Sequence, residues 1–171
     1  MKASGVSPPN RRLVFGVPYY RVVNAAFTHP HPFGSRFNGP QRGAWYAAFE
    51  LRTAQAEVAF HKSVQLAEIG VKQEEVTYDD YQADVSAPLH DLRGAPTFSN
   101  CLAPDSYVAS QLLAERLLAA GSLGVIYPSV RRRGGICLSL FRPALVTHLR
   151  KGTTWRFRWK GRPLPVIEPA I

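Results

Sequence analysis

Cysteine is scarce: Cys101 and Cys137 are the only two in 171 residues, far apart and not in a CxxC arrangement. That usage excludes a disulfide framework and leads one to expect a reducing, cytoplasmic setting. No run of about 18 apolar residues occurs, so no membrane-spanning helix is predicted. The opening stretch from Met1 to Arg12 is polar and proline-bearing and lacks the apolar centre of a signal peptide. A Gly-Lys-Ser/Thr phosphate loop, a GxGxxG fingerprint and a Gly-x-Ser-x-Gly elbow are all missing, which argues against ATPase, Rossmann and serine-hydrolase readings. His29-Pro30-His31 has no second pair of ligands at zinc spacing, so no metal site is expected.

What is present describes a folded chain. A hydrophobic share of 46% with 19% charged residues excludes wholesale disorder, and the length suffices for one core without staples. A flexible lead over 1–12 followed by a single domain over 13–171 is the expected organisation. The formal charge of +9 sits unevenly: residues 131–171 hold ten Lys/Arg against one acid, Glu168, while residues 1–130 hold eleven of each sign. Such a C-terminal region, 151–171 above all, is a candidate for contact with nucleic acid, an acidic protein or a polyanion.

Hydrophobic periodicity gives the elements. Tyr19 to Asn24 is rich in β-formers and predicts a strand. A His/Pro/Gly-dense loop covers 28–43, and Trp45 to Phe49 predicts a second strand. From Thr53, a plausible cap, to Ile69 the pattern is helical, with Gly70 as the stop. Residues 72–86 predict one or two strands, and a long loop follows to Pro104. Asp105 or Ser106 can cap a second helix, to which Val108, Leu112, Leu113, Leu117 and Leu118 give an apolar flank. Leu123 to Tyr127 and Ile136 to Phe141 predict buried strands. Near the end, Trp155, Phe157 and Trp159 alternate with Arg156, Arg158 and Lys160, a period of two with one aromatic and one basic face. Strands and two main helices without regular β-α-β alternation predict an α+β fold with a mixed, mainly antiparallel sheet.

Polar residues at the ends of these elements supply the chemistry. Arg21 and Arg36 carry forks that bind phosphate or carboxylate in a bidentate way. Arg36 stands inside Gly34-Ser-Arg-Phe-Asn-Gly39, where glycines permit close approach of a ligand. Glu57 lies among Ala54, Ala56, Val58, Ala59 and Phe60, surroundings in which a carboxylate needs a partner or a task. Tyr46 can present its ring to a flat heterocycle or serve as a core aromatic. Together they point to a site for a phosphorylated sugar or nucleotide. The Arg131-Arg132-Arg133-Gly134-Gly135 run predicts an exposed hairpin turn.

Taken in order, these pieces resemble the RES-domain family, toxins of bacterial toxin–antitoxin modules. The resemblance is carried by Tyr20-Arg21, by Gly34-Ser35-Arg36-Phe37-Asn38, by Tyr46 and Glu57, by Gly124 through Pro128-Ser129, and by Leu140-Phe141-Arg142-Pro143. Two positions depart from the family pattern: Ser35 replaces a glycine and Phe37 a tryptophan. The family serine corresponds to Ser129 or Ser106. The resemblance implies a fold similar to ADP-ribosyltransferase toxins and cleavage of the nicotinamide–ribose bond of NAD+, by a glycohydrolase or phosphorylase route. NAD+ would be substrate rather than cofactor, inorganic phosphate a candidate co-substrate, and a helix-turn-helix antitoxin the partner. Glu57 would then face the developing sugar cation, Arg21 and Arg36 would grip phosphates, Tyr46 would stack, and Ser129 would add a contact near the phosphates. Transfer of ADP-ribose to a macromolecule and a non-enzymatic nucleic-acid module are the competing expectations. Direct nucleic-acid binding outside an antitoxin complex is not expected.

Overall fold

A computed structural model describes residues 12–170. The expected N-terminal lead therefore falls, through residue 11, outside the described residues. In chain order the elements are α1 (Tyr20–Thr28), β1 (Trp45–Ala48), α2 (Leu51–Glu68), β2 (Gln73–Asp84), β3 (His90–Asp91), α3 (Val108–Ala119), β4 (Gly124–Pro128), β5 (Ile136–Leu140), β6 (Thr147–Lys160) and β7 (Val166–Pro169). Short 3₁₀ segments cover Pro96–Leu102 and Pro143–Leu145. The strands form two sheets, ordered β1-β5-β4-β3 and β2-β6-β7. Every pairing is antiparallel except β3 with β4. The fold is α+β, as the pattern of elements predicts, with three α-helices among the described residues rather than two.

The additional helix is α1, where Tyr19 to Asn24 predicts a strand. Strand propensity spans only about 1 kcal/mol and yields to burial. Val23 and Phe27, four apart and so on one helical face, both enter a core cluster with Leu138, Leu140, Val146 and Leu149. Asn24 fixes the incoming chain: its Oδ1 accepts the Val14 amide at 3.0 Å and its Nδ2 donates to the Val14 carbonyl at 2.8 Å. Gly43 lets β1 approach this helix, since a Cβ there would stand 1.9 Å from the Ala26 carbonyl oxygen.

Strand β5 is covered on both faces, which accounts for its near-continuous apolar run. Cys137 joins Phe37, Leu92, Ala114, Leu117, Val125, Tyr127 and Phe141 on one side, while Leu138 and Leu140 join the Val23 cluster on the other. The buried stripe of α3 is Ser110, Ala114 and Leu117. Val108 and Leu112, expected on its apolar flank, are exposed.

The second sheet shows why the C-terminal residues alternate. Phe157 and Trp159 pack with Ala59 and Leu66 of α2, and Trp159 Nε1 donates to Ser63 Oγ at 2.9 Å. The intervening basic residues meet the acids of β2 and β7. Arg158 Nε donates to Glu75 at 2.9 Å and its Nη2 lies 3.0 Å from Glu168. Lys151 pairs with Asp79 and Arg150 with Asp84. Arg156 is within ion-pair range of Glu75 and Glu168, though its Nε finds no aligned acceptor. The basic stretch expected to face a partner is thus largely matched inside its own sheet.

Candidate functional site

Helix α2 offers one face to the second sheet and another to a cleft of about 1150 Å³. The cleft is lined by the Phe33–Arg36 loop, by Tyr46 of β1, by Glu57, Phe60 and His61 of α2, by Pro104, Asp105 and Tyr107, and by Arg131 of the β4–β5 turn. Of the five residues singled out in the sequence, Arg36, Tyr46 and Glu57 line it, and Ser129 is bonded to Glu57. Arg21 does not reach it. It is exposed on α1, its Nε 3.4 Å from the Tyr20 hydroxyl of the preceding residue. It lies on the solvent side of α1, an element packed against the Leu138–Leu140 cluster.

Arg36 is buried, with 7% of its surface exposed. Its Nη1 donates to the carbonyls of Cys101 at 3.0 Å and Ala103 at 2.9 Å, and its guanidinium carbon lies 4.8 Å from the centroid of the Tyr107 ring. A cation that far from water ordinarily has an anionic partner; among the described residues no carboxylate lies within ion-pair distance of it. The loop holding it is self-braced. Ser35 and Asn38 form an isolated bridge, and a Cβ on Gly34 would stand 2.2 Å from the Asn38 carbonyl oxygen. That glycine closes the loop, and it also lines the cleft.

Tyr46 ties β1 to the same loop. Its hydroxyl accepts the Phe37 amide at 2.8 Å and donates to Asn38 Oδ1 at 2.7 Å. Burial raises the phenol pKa, a shift opposed by the Phe37 hydrogen bond. The hydroxyl end is fixed while the ring remains on the cleft wall.

Glu57 Oε1 accepts the Ser129 hydroxyl at 2.6 Å and faces the Cys137 sulfur at 3.8 Å. Its other oxygen has no hydrogen-bond partner among the described residues. Ser129 Oγ in turn accepts the amides of Arg131 at 3.2 Å and Arg132 at 3.0 Å. With both lone pairs occupied, its proton is directed at the carboxylate. Ser106, the other candidate for the family serine, instead accepts the Val108 amide at 3.4 Å. Burial and the nearby Glu57 charge push the Cys137 thiol up to about 12, so it stays protonated.

The structure adds residues that the sequence reading missed. His61 follows Glu57 by four, one helical turn, and lines the cleft. Its pKa is lowered chiefly by burial, then by the charges of Arg131, Arg36 and His31, against the opposing pull of Glu57. Arg131 turns inward, its guanidinium carbon 3.3 Å from the Phe60 ring centroid and its Nη2 bonded to the Pro104 carbonyl. Arg132 reaches Glu50 at 2.6 Å and the buried Thr53 hydroxyl at 2.9 Å. Thr53 is therefore an anchor inside α2, whose N-terminus is at Glu50 and carries no side-chain cap. Of the arginine run only Arg133 is exposed; the expected solvent turn is half built into the site. Helical spacing from Glu57 could have found His61, and adjacency to Ser129 could have found Arg131.

Among the described residues, no group of three or more His, Cys, Asp or Glu gathers that could hold a metal ion, and no helix is long and apolar enough to cross a membrane. Among curated proteins none matches the chain. A solved structure with a similar fold is the M. tuberculosis MbcT–MbcA toxin–antitoxin complex, with a TM-score of 0.52 at 18% identity, covering 72% of this chain and 71% of that one. The RES domain matches residues 11–160, most of the chain and every element that builds the cleft. By that match the protein belongs to the RES-domain family.

Proposed function

We propose that this protein is the toxin of a toxin–antitoxin module and degrades NAD+ by cleaving the nicotinamide–ribose bond. The observation that carries the reading is the pairing, in one cleft, of a carboxylate held by Ser129 with a buried guanidinium that has no carboxylate partner among the described residues. Departure of nicotinamide leaves an oxocarbenium-like ribosyl centre, as in glycoside cleavage. The unbonded oxygen of Glu57 supplies negative charge where that cation develops, and its orientation is fixed before reaction. Arg36 answers the phosphates with charge-assisted hydrogen bonds, and the ring of Tyr46 forms a wall for nicotinamide or ribose. Ser129 acts through Glu57 as a positioning residue. No cofactor is required, because nicotinamide is already a cationic leaving group.

The toxin–antitoxin neighbour supports an antitoxin partner; a helix-turn-helix antitoxin and a cytoplasmic site of action belong to the same proposal. A nucleic-acid module finds less support, because the basic face of β6 is matched by Glu75, Asp79, Asp84 and Glu168.

Incubation of the purified protein with NAD+, with and without inorganic phosphate, tests the reading by its products. Free nicotinamide with ADP-ribose marks a glycohydrolase, and nicotinamide with ADP-ribose 1″-phosphate marks a phosphorylase. Label carried onto a macromolecule would move the assignment to an ADP-ribosyltransferase. Absence of nicotinamide under all conditions would remove NAD+ as substrate.

A further inference from the structure

Arg21 stands outside the cleft, yet a second guanidinium lines it. The stretch from Cys101 to Pro104 holds both cations at once: the carbonyls of Cys101 and Ala103 accept from Arg36, and the carbonyl of Pro104 accepts from Arg131. Each guanidinium also lies against an aromatic ring, Tyr107 for Arg36 and Phe60 for Arg131. Carbonyls and π-faces orient a guanidinium without cancelling its charge. Among the described residues neither arginine has a carboxylate within ion-pair distance. Asp105 and Glu68 line the same cleft but do not come that close. Nor do the Nε atoms of the two arginines have any hydrogen-bond partner among the described residues.

The two cations come from different elements and lie at different depths. Arg36 rises from the loop before β1 and is buried, whereas Arg131 enters from the β4–β5 turn and is half-buried. An anion that satisfies both must reach from the floor of the cleft towards its rim. Two linked phosphates can present oxygens to both forks, one at each depth.

We propose that Arg131 and Arg36 form a two-guanidinium clamp for a diphosphate, and that Arg131 selects ligands with two linked phosphates over those with one. The identity of the natural substrate rests on the NAD+ reading above; the clamp itself is read from anion binding and needs no turnover. The Ser129-centred turn gives it a link to the chemistry, because the hydroxyl that orients Glu57 also accepts the Arg131 amide.

Titration calorimetry with ADP, AMP and inorganic pyrophosphate tests the clamp. Wild-type protein should bind ADP about tenfold or more tightly than AMP, the scale set by an added pair of charge-assisted hydrogen bonds. Arg131→Ala should remove most of that difference while leaving AMP within about twofold. Arg131→Lys, which keeps the stem and the charge, should also lose most of it, because an ammonium cannot reproduce the fork. Arg133→Ala, on the exposed end of the same turn, serves as the charge control and should bind as wild type does. Equal affinity for ADP and AMP, full ADP affinity in Arg131→Lys, or an equal loss in Arg133→Ala would overturn the proposal. Arg131-dependent ADP binding without nicotinamide release would keep the clamp and remove the NAD+ reading; release with Arg131-independent ADP binding would do the reverse.

Discussion

Ser129 Oγ and Glu57 Oε1, 72 residues apart in sequence, stand 2.6 Å from each other, with the serine oxygen also receiving two backbone amides. The amides of the β4–β5 turn thereby set the direction of a hydroxyl, and the hydroxyl sets one oxygen of a helix carboxylate. Ser129→Ala is expected to lower turnover by about tenfold or more through loss of that orientation. The two amides would also lose an acceptor, at about 1–3 kcal/mol of stability if water does not replace it. Steady-state kinetics together with urea denaturation read both effects; unchanged kcat in a folded variant would deny Ser129 its positioning role.

Tyr46→Phe retains the ring and deletes the hydroxyl that bridges Phe37 and Asn38. A destabilisation of about 1–3 kcal/mol is expected, with the buried Phe37 amide left unpaired. Since the same loop carries Arg36, affinity for phosphate-bearing ligands should weaken alongside Tm. A variant as stable as wild type, with undiminished ADP binding, would show that the loop does not depend on this bond.

Trp159→Ala removes the ring that packs α2 on β6 and the donor to Ser63. Large-to-small changes of this kind cost about 3–5 kcal/mol. Chemical denaturation should show a lower midpoint with little change in slope, and a loss under about 1 kcal/mol would mean that α2 is held by other contacts.

His61 connects acidity to the site. Its folded-state pKa lies below the ordinary value of 6.5, from burial first and from Arg131, Arg36 and His31 next, with Glu57 opposing. The unfolded chain binds this proton more readily, so the stability contribution is present above about 6.5 and is lost as pH falls through the lower folded-state value. Tm measured from pH 8 to pH 5 should therefore fall less steeply in His61→Gln than in wild type. Parallel curves would leave His61 without a part in the acid response.

How much of this was legible in the sequence depended on whether the signal was local. Helix α2 and strands β1, β4 and β5 follow from apolar spacing, and Gly70 ends α2 where expected. The alternation of Trp155, Phe157 and Trp159 gave a strand with two faces correctly, but not the acids of β2 that meet the basic face. That pairing joins residues about eighty positions apart and is invisible to any window. Tyr19 to Asn24 misled for a related reason: its β-forming composition is local, whereas the cluster that buries Val23 and Phe27 on a helix is assembled from β5 and the chain after it. Arg36 and Glu57 stood out because each sits where an ordinary reading fails, in a glycine loop or an apolar helix, whereas Tyr46, on strand β1, could equally be read as a core aromatic. Arg131 was hidden in a basic run that resembles a solvated turn; its partial burial and its contacts with Phe60 and Pro104 distinguish it from Arg133.

Nicotinamide release from NAD+ by wild-type protein and by Glu57→Gln, each first shown to be folded by circular dichroism, bears most directly on the chemistry assigned to the cleft. Glutamine keeps the shape and an acceptor for the Ser129 hydroxyl but withdraws the negative charge. Release by wild type with a loss of about a hundredfold or more in the variant is the expected result. Equal release by both proteins, or none by wild type, would contradict it.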